Sequence, residues 1–154
     1  MELRLAYTVF TGADGLPPAQ AALLEQAQAA LPAAYAPYSR FSVGAAVLLS
    51  NGRVVRGANQ ENVAYPSGLC AERVALFAAF SQYPEAELVG MAIAARDAEG
   101  LVHRPVTPCG ACRQVLAEYL QRSNEREVWV LMAGARTIYL LDDARMLLPL
   151  AFGM

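Results

Sequence analysis

The chain has 154 residues, enough for one domain with a sizeable buried core. Hydrophobic residues make up 56% of it and mean hydropathy is +0.28, but thirty of them are Ala, so part of the excess is small side chains rather than broad apolar surface. The twelve cations are all Arg, form no run, and leave a net charge of −2 against fourteen acids, which argues against a sequence-independent grip on nucleic acid or on an anionic membrane.

No apolar run reaches the ~20 residues of a membrane span. The opening MELRLAYTVF lacks a basic stretch ahead of a long apolar segment, so no secretory signal is expected and a cytoplasmic location is. Without repeats, low-complexity tracts or linkers, residues 1–154 read as a single domain.

Residues 1–16 read as an irregular lead-in. Pro17-Pro18 opens a helix through about Ala30, with Leu23, Leu24, Ala27, Ala30 and Leu31 at helical spacing. Pro37 breaks the chain, and residues 41–49 (FSVGAAVLL) read as a strand. Ser50-Asn51-Gly52-Arg53 predicts a type I′ hairpin turn into a second strand, Val54 to Gly57. A loop leads to a helix over Cys70–Ala79. Glu87 to Arg96 (ELVGMAIAAR) is apolar enough for a central strand. A further helix is expected from about Gly110 to Gln121, then strands at Glu127–Leu131 and Arg136–Leu141. Their connection is too short for a parallel crossover, so they should be antiparallel. A short helix from Asp142 to about Leu147 closes the pattern. The expected architecture is three-layer α/β/α, a five-stranded mixed sheet with helices on both faces.

The three cysteines carry the chemistry. Cys109 and Cys112, in PCGAC, are three apart at a helix start, so one turn brings both sulfurs to one side. Cys70 stands at another helix start. Free amides and the positive end of each helix favour thiolate there. Three thiolates from two helix starts make a tetrahedral Zn²⁺ site with one position open, which is the catalytic pattern, since structural zinc closes its shell. A redox CxxC pair is the alternative, but it leaves Cys70 without a role. His103, the single histidine, reads as an exposed group rather than a fourth ligand. Glu72, two residues past Cys70, can overlook the open position and move protons. Arg73, three residues past Cys70, can donate to the thiolates and draw off their charge.

The spacing Cys70-Ala71-Glu72 with Pro108-Cys109-Gly110-Ala111-Cys112 matches the zinc-deaminase signature. Together with PYSRFSVGAA, GANQENVAYPSGLCAERVALF, PCGACRQVL and LLPLAF, the chain closely resembles the small homotetrameric zinc-dependent cytidine deaminases from about Leu23 to Phe152. The resemblance implies hydrolytic deamination of free cytidine and 2′-deoxycytidine, with Cys70, Cys109 and Cys112 on zinc and Glu72 as proton shuttle. It further implies Asn59 and Glu61 on the ribose 3′-hydroxyl, Phe41 packed on the pyrimidine, and the Ala71 backbone on the base edge. Tyr65 and Phe152 would approach a neighbouring subunit's site in a homotetramer. Two positions depart from the pattern: Ala58 stands where relatives often carry Cys, and Gln60 where they carry an aliphatic residue.

Overall fold

Apolar residues run almost unbroken along the central strands, as burial on both faces requires, and recur at helical spacing between them, and the elements follow that pattern. In the computed structural model, which describes residues 2–124 and 126–153, these are β1 (Thr8–Phe10), α1 (Pro18–Ala30), β2 (Ser42–Leu49), β3 (Val54–Ala58), α2 (Ala71–Gln82), β4 (Leu88–Asp97), β5 (Gly100–Leu101), α3 (Gly110–Gln121), β6 (Trp129–Ala133) and β7 (Ile138–Leu141). Short 3₁₀ turns occupy Leu31–Ala33, Tyr65–Ser67 and Ala144–Leu147.

The strands form one mixed sheet in the order β1-β7-β6-β4-β2-β3, with β5 folding back on the end of β4. β4 and β6 are parallel and α3 lies in the crossover between them; β6 and β7 are antiparallel, as their short connection requires. Alternation sorts the side chains into two cores. Val47, Leu49, Met91, Ile93, Val130 and Met132 face α2 and α3. Ala46, Ala92, Ala94, Leu131 and Ala133 face α1. The result is the expected three-layer α/β/α arrangement.

Among the described residues the sheet has seven strands rather than five. β1 falls within the stretch read as an irregular lead-in (Met1 itself lies outside the described residues). It pairs antiparallel with β7, setting Thr8 opposite Leu140 and Phe10 opposite Ile138. Three residues carry too little pattern to announce a strand; the open edge of β7 supplies the pairing. The two-residue β5 escaped notice for the same reason. The hairpin after β2 is not type I′, because Gly52 has φ +79° but Asn51 does not have positive φ. Instead the Asn51 Oδ1 accepts the Arg53 amide at 3.0 Å, so the side chain shapes the turn locally. The segment Asp142–Leu147 is a 3₁₀ turn over Ala144–Leu147 whose first amide partner is the Asp143 carboxylate, 3.0 Å from the Arg145 nitrogen.

Two contacts place the site. Ser123, fully buried just past α3, donates its hydroxyl to the Tyr119 carbonyl at 2.9 Å and accepts the Leu88 amide at 3.2 Å, so it latches the end of α3 to the start of β4. Gly57 lets β3 lie directly against the first turns of α2: a Cβ there would sit 2.5 Å from the Ala71 oxygen and 2.4 Å from the Ala75 nitrogen, both rigid backbone. Gly57→Ala should therefore cost about 1–3 kcal/mol of stability, read as a lowered urea midpoint. Gly110→Ala, where a Cβ meets nothing within 4 Å, should leave the midpoint unchanged or raise it.

Candidate functional site

Both α2 and α3 start at a cysteine. Cys70 (φ −70°, ψ 154°) and Cys109 (φ −67°, ψ 168°) are the extended residues immediately before the first helical turn, and neither side chain caps its own helix. α2 thus begins at Ala71, one residue later than the sequence suggested. Cys112 lies one turn into α3. The Cys70 and Cys109 sulfurs are 3.7 Å apart, those of Cys109 and Cys112 3.4 Å, and all three lie within 4.8 Å of one another. A tetrahedral zinc with ~2.3 Å bonds needs sulfurs about 3.8 Å apart, so the donor set fits that ion in type, number and spacing. Among the described residues no other His, Cys, Asp or Glu joins the group, and His103 stays outside it.

The thiols share protons unequally. Hydrogen bonding to Cys112, reinforced by Arg73, pulls Cys70 down to about 5, whereas the same bond and burial push Cys112 up. Of these two, Cys70 is the readier anion, and Arg73 Nη2 lies 3.6 Å from its sulfur. Glu72 is 4% exposed. Burial raises its carboxyl to about 6, and the charge on Cys70 adds to the rise.

The sulfurs open into a cavity of about 600 Å³, within the ~300–1,000 Å³ range of small-molecule sites. Cys70, Cys109, Glu72, Arg73, Asn59, Glu61 and Tyr65 all line it. Asn59 is held by β2: its Oδ1 accepts the Val43 amide at 2.8 Å and its Nδ2 donates to the Phe41 carbonyl at 2.9 Å. Glu61 Oε1 accepts the Tyr38 and Ser39 amides at 2.9 and 3.1 Å. Hydrogen bonding from Ser39 and Tyr38 keeps its carboxyl below the usual range.

Three expected residues sit elsewhere. The half-buried Phe41 is not part of the cavity wall; Val43, two residues on, is. The Ala71 side chain is fully buried, and only its backbone is at the start of α2. Phe152 is 78% exposed, its carbonyl taking a 2.9 Å bond from Gln114 Nε2 on α3. Sequence reading missed Tyr38, Ser39 and Thr107 as wall residues. The break at Pro37 was the signal that this loop turns back, but nothing local shows toward what.

A three-layer α/β/α fold with an open Cys₃ site and a buried carboxylate beside it defines a zinc-dependent enzyme of the deaminase kind. The model of the cytidine and deoxycytidylate deaminase zinc-binding region matches residues 18–125, and the chain belongs to that family. It is 51% identical to a cytidine deaminase of Halalkalibacterium halodurans over 96 residues, 62% of this chain and 68% of that one. The fold is similar to the crystal structure of cytidine deaminase from Burkholderia pseudomallei (TM-score 0.70, 39% identity, covering 85% of this chain and 97% of that one). It is likewise similar to the enzyme from Mycobacterium tuberculosis (TM-score 0.67, 37% identity, 86% and 96%).

Purified protein should carry one zinc per chain by elemental analysis, and Cys112→Ala should lose it. Arg73→Ala should keep zinc but bind it about 10–100-fold more weakly in chelator competition, because the thiolates lose a donor.

Proposed function

We propose that the chain catalyses hydrolytic deamination of free cytidine and 2′-deoxycytidine to uridine and 2′-deoxyuridine with release of ammonia, acting as a single deaminase-like domain. The observation that carries this is Glu72: a buried carboxyl, raised to about 6, in the wall of a nucleoside-sized cavity beside three convergent sulfurs. Cys70, Cys109 and Cys112 would hold the ion. When bound, zinc supplies a Lewis acid that makes water nucleophilic near neutral pH.

Glu72 accepts the proton of the water that attacks C4 and delivers it to ring N3. It then takes the remaining proton from the C4 hydroxyl of the adduct and passes it to the amine, which leaves as ammonia when the C4–N bond breaks and the C4 oxygen becomes the carbonyl of uridine, so one carboxyl serves as base and acid in turn. Burial, which lifts this carboxyl above its ordinary value, suits both tasks, since it makes the group a better proton acceptor than an exposed carboxylate. Arg73 offsets the negative charge of the sulfur cluster and keeps the thiolates as ligands. Asn59 and Glu61 bind the ribose 3′-hydroxyl: Asn59 Nδ2 has a second N–H beside the one bonded to Phe41, and the Glu61 carboxylate is held in place as an acceptor by segment 38–39. Phe41 is the aromatic that packs on the pyrimidine, its own place in this structure being outside the cavity lining. The Ala71 backbone, at the positive start of α2, contacts the base edge.

Tyr65 and Phe152, exposed at 76% and 78%, reach toward a neighbouring subunit's site in a homotetramer. The catalyst works in the cytoplasm on small nucleosides rather than on nucleic acid, consistent with the scattered arginines. No helix among the described residues is long and apolar enough to cross a membrane.

Glu72→Gln should lower kcat on cytidine by about 10²–10⁴-fold while retaining its zinc, followed by the ultraviolet change as uridine forms. Turnover close to that of the unaltered chain would sink the assignment.

A further inference from the structure

Gln60 stands between the two proposed sugar contacts, and its side chain points away from them. Residues 59–61 run between two neighbouring segments. On one side the Tyr35 amide donates to the Asn59 carbonyl at 2.9 Å and the Glu61 amide to the Tyr35 carbonyl at 2.8 Å. On the other, Gln60 and Leu69 exchange both backbone bonds at 2.9 Å. In such extended chain, successive side chains face opposite ways. Asn59 and Glu61 both reach segment 38–43, as their bonds to Phe41, Val43, Tyr38 and Ser39 show. Gln60 reaches the opposite way, and its Nε2 donates to the Ala33 carbonyl at 3.0 Å and the Ala58 carbonyl at 3.3 Å.

Those carbonyls belong to different elements. Ala33 ends the turn after α1, and Ala58 ends β3. One amide group thus ties the α1 layer to the strand that carries Asn59. An aliphatic side chain could fill the space but donate to neither.

We propose that Gln60 is a positioning residue for nucleoside binding, its carboxamide fixing the tilt at which Asn59 and Glu61 meet the sugar. This rests on the reading that those two residues bind the ribose 3′-hydroxyl. Residue 60 belongs to the cavity lining, but its carboxamide is engaged by the Ala33 and Ala58 carbonyls rather than turned toward the sugar contacts. Its loss therefore loosens a binding geometry without disturbing Glu72 or the cysteines, which sit on other elements.

The test is steady-state kinetics on cytidine and 3′-deoxycytidine with the zinc-loaded chain and the variants Gln60→Met, Gln60→Lys and Glu61→Gln. Gln60→Met keeps the length and removes the donors; it should raise KM for cytidine about 3–10-fold with kcat within about twofold, the scale of lost neutral hydrogen bonds. Its kcat/KM on 3′-deoxycytidine should not change, and zinc content and urea midpoint should stay level. Gln60→Lys, which restores donor protons, should behave like the unaltered chain on cytidine. A cytidine KM unchanged in Gln60→Met overturns the proposal, as does a matching fall in kcat on both substrates, which marks general structural damage. Glu61→Gln separates the two levels. If it raises the cytidine KM while Gln60→Met does not, only the positioning role fails; if it leaves KM unchanged, the sugar reading fails and takes the positioning role with it.

Discussion

Two helix starts come together beside the cavity, and three sulfurs must fit between them. Each start presents unpaired amides and the positive end of its dipole, so anions are favoured there before any metal arrives. The two helices use the same positions differently. The residue before each helix is a cysteine, Cys70 and Cys109; three residues on, α3 has Cys112 and α2 has Arg73. One helix thus supplies two ligands, and the other supplies one ligand and the cation that bonds it. Had α2 repeated the α3 pattern, a fourth thiolate would close the shell and leave no place for reacting water.

Between these comes Glu72. The turn of α2 that places Arg73 against a sulfur also carries Glu72 into a buried wall position, where desolvation raises its carboxyl to about 6. A short run, Cys70-Ala71-Glu72-Arg73, therefore sets ligand, proton carrier and charge balance through helix geometry alone. Gly57 makes this possible from below, by allowing β3 to touch the backbone of the same turn.

Much of this was legible in the sequence because its causes are local. The spacing of Cys109 and Cys112, the apolar runs of β2 and β4 and the limits of α3 all follow from neighbours along the chain. What escaped has distant causes. β1 exists because β7 offers an edge more than a hundred residues away. Asn59 and Glu61 could be named as polar loop residues, but not that the backbone of residues 38–43 already holds them. Those bonds arrange the polar groups before a ligand arrives, which lowers the ordering cost of binding. Phe41 was placed by its motif, yet the cavity wall at that level is Val43, and Phe41 itself stands just ahead of β2, where no strand pattern fixes its direction.

The latch at Ser123 has a consequence at the other end of α3. A helix can slide along its axis under thermal agitation, and slippage by a single residue displaces everything on it by about 1.5 Å. Zinc coordination tolerates only about 0.2 Å. A hydroxyl sealed from solvent, gripping both the Tyr119 carbonyl and the Leu88 amide, anchors the rod at its far end. The axial position of the metal seat therefore depends partly on a serine at the remote tip of the same rod, bonded to a strand inside the sheet.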